Sequence, residues 1–137
     1  MTLKEFFSGD RFAQMAGVRL LTVGEGYARA EMPVTPVVLN ASGWVQGGAL
    51  FTLADLAFAA AVNTHGNLTV SVNSNIAFFK SARRGATLYA EARELIDHHR
   101  LPYGQVRITD ESGNLVALFT SSGYRKSNAK IDADGLE

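Results

Sequence analysis

Residues 46–63 read QGGALFTLADLAFAAAVN, and the fold turns on how this stretch is read. From Ala49 to Asn63 it contains neither proline nor glycine, and alanine and leucine dominate. Such residues lose little freedom in a helix. The run is apolar nearly all round rather than along one stripe, which predicts a helix buried on most sides. His65-Gly66 just beyond it supplies a stop.

The flanks read mainly as strands. Residues 17–23 (GVRLLTV) and 27–33 (YARAEMP) alternate, and Gly24-Glu25-Gly26 between them is hairpin chemistry. Residues 35–46 read as a loop ending at paired glycines. Downstream, 68–79 (LTVSVNSNIAFF) alternates with period two, and 80–85 is a polar turn. Residues 86–97 (ATLYAEARELID) suit helix or strand by propensity; the alternation of Leu88, Ala90, Ala92 and Leu95, with strands on both sides, favours strand. Residues 103–109 and 114–124 flank Asp110-Glu111-Ser112-Gly113, another hairpin turn. Upstream, 2–15 reads as a short amphipathic helix, broken near Ser8-Gly9-Asp10, with Phe6, Phe7, Phe12 and Met15 as its apolar side. The tail after about residue 125 is expected to fray.

This order predicts an α+β fold, an antiparallel sheet wrapped around one long buried helix, as a single domain over 1–137. One helix covers only part of a sheet face, and a small sheet leaves edges to hide. Both favour a homo-oligomer, most simply a twofold dimer that continues the sheet.

Composition narrows the function classes. The 137 residues suit one domain, and 47% hydrophobic with 19% charged is ordinary for a globular protein. A formal net charge of zero gives no global field toward nucleic acid or a membrane. With no cysteine there is no disulfide, thiolate metal site or Cys nucleophile. The N-terminus is charged throughout, and the longest apolar run, interrupted by Asp55, is too short to span a bilayer. A soluble, cytoplasmic protein without metal is the expectation.

Asp55 is the anomaly. An ionised carboxylate buried without partners costs several kcal/mol. Its helix neighbours at three and four residues are Phe51, Thr52, Phe58 and Ala59, none of which neutralises it. Either Asp55 faces a solvated groove or pairs with a distant arginine, or it is a carboxylate kept reactive in a partly dry site. Gly47 and Gly48 fit the second reading. They lie where backbone N–H groups lack intrahelical partners, and without side chains they let a carbonyl approach. Those donors and the helix dipole suit a developing oxyanion. Close packing at a loop-to-helix corner explains the glycines equally well.

Asn40, then five residues, Gln46-Gly47-Gly48, then six residues and Asp55, resembles the motif of the hotdog-fold acyl-CoA thioesterases, closest to the phenylacetic-acid-degradation type. The resemblance spans roughly residues 10 to 125 and includes Ile76–Ala82, Gly85–Leu88 and Gly113–Phe119. It implies a hotdog fold and hydrolysis of a small, medium or aromatic acyl-CoA, with CoA as part of the substrate and no separate cofactor. Asp55 would be general base or nucleophile, the Gly47 N–H would polarise the thioester carbonyl with help from Gly48, and Asn40 would hold the water or the thioester. Ser71 corresponds to a serine that some relatives use near the water. The resemblance also implies a site shared across a dimer, or a dimer of dimers, with the acid from one subunit and the glycine from the other.

One position departs from the family pattern, which has histidine where this chain has Gln46. Glutamine donates and accepts hydrogen bonds but carries no proton near neutral pH. The alternative function is therefore a non-catalytic acyl-CoA binder or sensor on the same fold. A hotdog hydratase ranks lower, because the loop before the helix lacks histidine. His65, His98 and His99 form no known triad or metal spacing and read as structural or solvated. Lys80, Arg83 and Arg84, and Arg125 with Lys126, are candidates for the coenzyme's phosphates, although a solvated polar turn explains the first three as well. Phe51, Phe58, Phe78 and Trp44 are candidate acyl-pocket residues, or simply core.

Overall fold

A computed structural model describes residues 1–132. The elements are α1 (Leu3–Phe7), α2 (Arg11–Ala16), β1 (Arg19–Gly24), β2 (Tyr27–Pro33), a 3-10 turn (Pro36–Val38), α3 (Gly47–Val62), β3 (Asn67–Phe78), β4 (Thr87–Ile96), β5 (Tyr103–Thr109) and β6 (Leu115–Lys130). The six strands form one sheet in the order β1-β2-β4-β5-β6-β3, with every pairing antiparallel. α3 packs against one face of it, chiefly on β2, β4 and β5. This is the α+β hotdog arrangement.

The register explains how the helix comes so close. On the inner face Ala28 pairs with Ala92 and Ala30 with Ala90, all fully buried. Four small side chains at the centre of the sheet leave room for the larger residues that α3 presents, among them Leu53 and Phe58. Gly104 completes the fit. A Cβ there would lie 2.9 Å from the Phe58 ring and 2.8 Å from the Arg93 carbonyl oxygen, so a side chain has no space. Phe58 and Phe51 both pack on Phe119, with ring centroids 6.1 and 5.2 Å away.

The N-terminal segment breaks at Ser8-Gly9-Asp10 as expected, into two helices: Asp10 caps α2 by accepting from the Ala13 N–H at 3.0 Å, and Gly17 at φ 89° ends it. Two expectations need correction. The large apolar side chains of this segment do not all face the core. Phe6, Phe12 and Met15 are exposed, and the buried residues of α2 are Ala13 and Ala16. The tail also stays ordered past residue 125, because β6 continues to Lys130 and pairs back to Asn67. Residues 133–137, which also fall in the expected tail, lie outside the described residues. The two hairpins and the strand reading of 86–97 hold, with β4 at Thr87–Ile96.

Candidate active site

α3 is buried all round except along one stripe, where Gly47, Gly48, Phe51, Thr52, Asp55 and Ala59 retain solvent contact. These positions recur at three- and four-residue steps and so share one helix face. Asp55 is therefore half-buried beside a groove rather than sealed in the core. Burial pushes its carboxyl above the ordinary value of 3.8, the charge of Asp10 adds to this, and a hydrogen bond from Ser71 Oγ (3.3 Å to Oδ1) opposes it. No arginine reaches it within the described residues. A carboxylate in this condition gains basicity and keeps access to solvent, which suits it to base or nucleophile chemistry.

At the other end of the stripe, Gln46 is the N-cap of α3. Its Oε1 accepts from the N–H groups of Gly48 and Ala49, the latter at 3.3 Å. A shorter Ser or Asp usually does this work. Gly48 has no positive φ; a Cβ there would meet Gln46 Oε1 at 2.6 Å, so a side chain at 48 would displace the cap. Gly47 N–H has no hydrogen-bond partner among the described residues, and a Cβ on Gly47 would stand 3.0 Å from the Phe78 ring. Of the two glycine donors, Gly47 is thus open to a ligand, whereas Gly48 is engaged by Gln46.

Asn40 lies in the exposed loop before α3. Its Oδ1 accepts from Ser42 N–H at 2.9 Å and Trp44 N–H at 3.0 Å, so the side chain shapes the loop. The basic candidates differ in availability. Lys80 is 2.7 Å from Asp110, whose carboxyl is held down at about 2 by Lys80 and by hydrogen bonds from Asn114. Arg83 stacks on the Trp44 ring at 4.8 Å, while Arg84 is exposed. Arg125 is buried and lies away from the groove, bound to Asp97 at 2.8 Å and Glu94 at 3.2 Å. Among the aromatic candidates, Phe58 is core and Phe51 is packed against it, whereas Phe78 stands exposed beside Gly47.

Two features escape a reading of the sequence. His65 Nε2 lies 2.7 Å from Glu94 Oε1 and 3.7 Å from Asp97, and Arg125 joins both carboxylates, giving a polar network at the far end of α3. Nothing local in the chain announces a network whose members lie about thirty residues apart. The second is the capping role of Gln46, which the expected family pattern obscures.

Comparison with known proteins agrees with this fold. Residues 42–117 match the sequence profile of the thioesterase superfamily. The acyl-coenzyme A thioesterase PaaI of Escherichia coli is 32% identical over 119 residues, spanning 87% of this chain and 85% of that one. The structure of the E. coli PaaI protein from the phenylacetic acid degradation operon superposes with a TM-score of 0.88 at 30% identity, covering 93% of this chain and 92% of that one. A mutant of the phenylacetic acid degradation protein PaaI from Thermus thermophilus gives 0.82 at 34% identity, covering 85% and 100%. The chain therefore belongs to the thioesterase superfamily, as a hotdog-fold thioester hydrolase of the phenylacetic-acid-degradation type.

Proposed function

We propose that the protein hydrolyses acyl-CoA thioesters, with Asp55 as the catalytic carboxylate and the Gly47 N–H as donor to the thioester carbonyl. One observation carries this: the single open stripe of α3 has an unpaired, half-buried carboxylate along it and an unpartnered N–H at its head. In either role, base for a water molecule or nucleophile through an anhydride, Asp55 reacts as the anion. Ser71 holds Oδ1 and leaves the other carboxylate oxygen for the reaction. Arg83 and Arg84 are the basic side chains best placed to meet coenzyme phosphates, since Lys80 is paired with Asp110. E. coli PaaI, which acts on acyl-CoA by name, supports the substrate class.

The geometry calls for a second copy. Gly47 and Asp55 are eight residues apart on one helix, about 12 Å of rise, too far to serve one carbonyl. Edge strand β3 exposes Val70 and Val72 and has one unpaired side. Pairing it with its twofold copy would extend the sheet and set the two α3 helices side by side in opposite directions, so that Gly47 of one protomer faces Asp55 of the other. A thiol-release assay over a panel of acyl-CoAs tests the function. Asp55→Asn should lower kcat at least about 100-fold. Equal turnover in variant and parent overturns the assignment; tight acyl-CoA binding without release by either would instead favour a non-catalytic binder.

A further inference from the structure

β3 is not one regular strand. Its pairing with β6 slips between Asn67 and Thr69 and again between Ser71 and Asn73, so residues 69–71 form a short piece with an irregularity at each end. At the second slip Val72 is an extra residue, and it switches which side chains face α3. Thr69 and Ser71 do so before it; Ile76, paired with the buried Phe119, and Phe78 do so after it. Ser71 and Phe78 are seven residues apart and in a regular strand would point to opposite faces. The extra residue lets Ser71 meet Asp55 while Phe78 stands beside Gly47. It also has a cost: a ladder broken on both sides of so short a piece holds it weakly in register.

The missing hold comes from α3. Asn63, just past its last turn and 1% exposed, turns its amide onto Thr69. Its Oδ1 accepts from Thr69 N–H at 2.8 Å and its Nδ2 donates to Thr69 O at 3.0 Å, the two bonds that a neighbouring strand would make. Nδ2 also donates to Ala59 O at 2.8 Å, so both amide hydrogens are engaged and the side chain has one orientation. On the sheet side Gly123 makes room for Thr69, since a Cβ there would lie 2.8 Å from Thr69 Cγ2. Ser71, two residues on, makes its sole side-chain hydrogen bond among the described residues to Asp55. We propose that Asn63 is a positioning residue of the reaction: by clamping Thr69 to the end of α3 it sets residues 69–71 against that helix so that Ser71 meets Asp55. The inference rests on Asp55 as the catalytic carboxylate. Both ends of the piece are thereby tied to one rigid helix, at Asn63 and at Asp55.

The test follows the Asp55 carboxyl by carbon NMR titration, which needs no turnover, alongside kcat for thiol release from acyl-CoA. The hydrogen bond from Ser71 lowers that carboxyl against its burial; Asp10, the other group acting on it, caps α2 and is left alone. Ser71→Ala should therefore raise the titration midpoint and lower kcat about tenfold, the scale of one hydrogen bond to a charged group. Asn63→Ala, which adds no charge, should do both as well, and the double variant should go no further than Ser71→Ala alone. A purely structural Asn63 would lower Tm and leave the Asp55 midpoint at the parent's value, which overturns the proposal; so does a further shift in the double variant. Gly123→Ala displaces Thr69 from the sheet side with Asn63 intact and serves where Asn63→Ala does not fold; it too should raise the midpoint, and a midpoint unmoved there overturns the proposal equally. A parent protein that releases no thiol from any acyl-CoA would instead remove the thioesterase reading, with the clamp still read by the titration.

Discussion

The pairing of Gln46 with Gly48 predicts a specific coupling. Gln46→Ala removes the side-chain acceptor from Gly48 and Ala49 N–H, costing about 1 kcal/mol. Gly48→Ala places a Cβ 2.6 Å from Gln46 Oε1. The far end of a flexible glutamine moves aside easily, so the cost is again the lost cap, about 1 kcal/mol, partly offset by the 0.5–1 kcal/mol or so that alanine gains over glycine in a helix. In the double variant the cap is lost only once and the gain is kept. Gly48→Ala should therefore stabilise the Gln46→Ala protein although it is near neutral or slightly destabilising in the parent, with a coupling of about 1 kcal/mol. For a chain of this length that is roughly 4 °C in Tm. Urea and thermal unfolding of the four proteins, at one protomer concentration because association shifts apparent stability, give the cycle. Additivity within about 0.3 kcal/mol would refute the capping account.

Two further outcomes follow from the charges. Burial holds the carboxyl of Asp55 above 3.8 in the folded state, so the acidic limb of kcat/KM should lie above that of an ordinary aspartate. The folded chain then binds the proton more tightly than the unfolded one, and stability falls as pH rises through the window between the two pKa values. Asp55→Asn should accordingly melt higher than the parent at pH 7, with the gain vanishing below about pH 4; calorimetry across pH checks the sign. Arg125→Met should be strongly destabilising, by about 3–5 kcal/mol, because Glu94 is 4% exposed and Arg125 7%. Burial already raises Glu94 against the pull of His65 and Arg125; a urea midpoint equal to the parent's would remove Arg125 from the stability argument.

The sequence made the main element legible through what it lacks: no proline or glycine from Ala49 to Asn63, and one acid. Asp55 stood out for the same reason, and the glycines stood out by position. What stayed hidden depended on direction or distance. Residues 2–15 contain the right apolar side chains for an amphipathic helix, but nothing in their spacing says that alanine rather than phenylalanine would face inward. The segment from Arg125 to Lys130 has too little apolar alternation to read as strand, yet backbone pairing with β3 orders it. Gln46 read as a departure from a catalytic pattern, and only its place at the N-cap gives it a structural task.

α3 both fills the core and supplies Gly47 and Asp55. Enzymes that carry their reacting groups on loops can lose activity through a local opening that leaves the rest of the fold intact. Here the proposed acid and carbonyl donor belong to the segment that the alanine rows of the sheet hold in place. To disorder the site is to melt the domain. Substitutions that loosen the core are therefore expected to appear first as shorter-lived protein rather than as a slower enzyme.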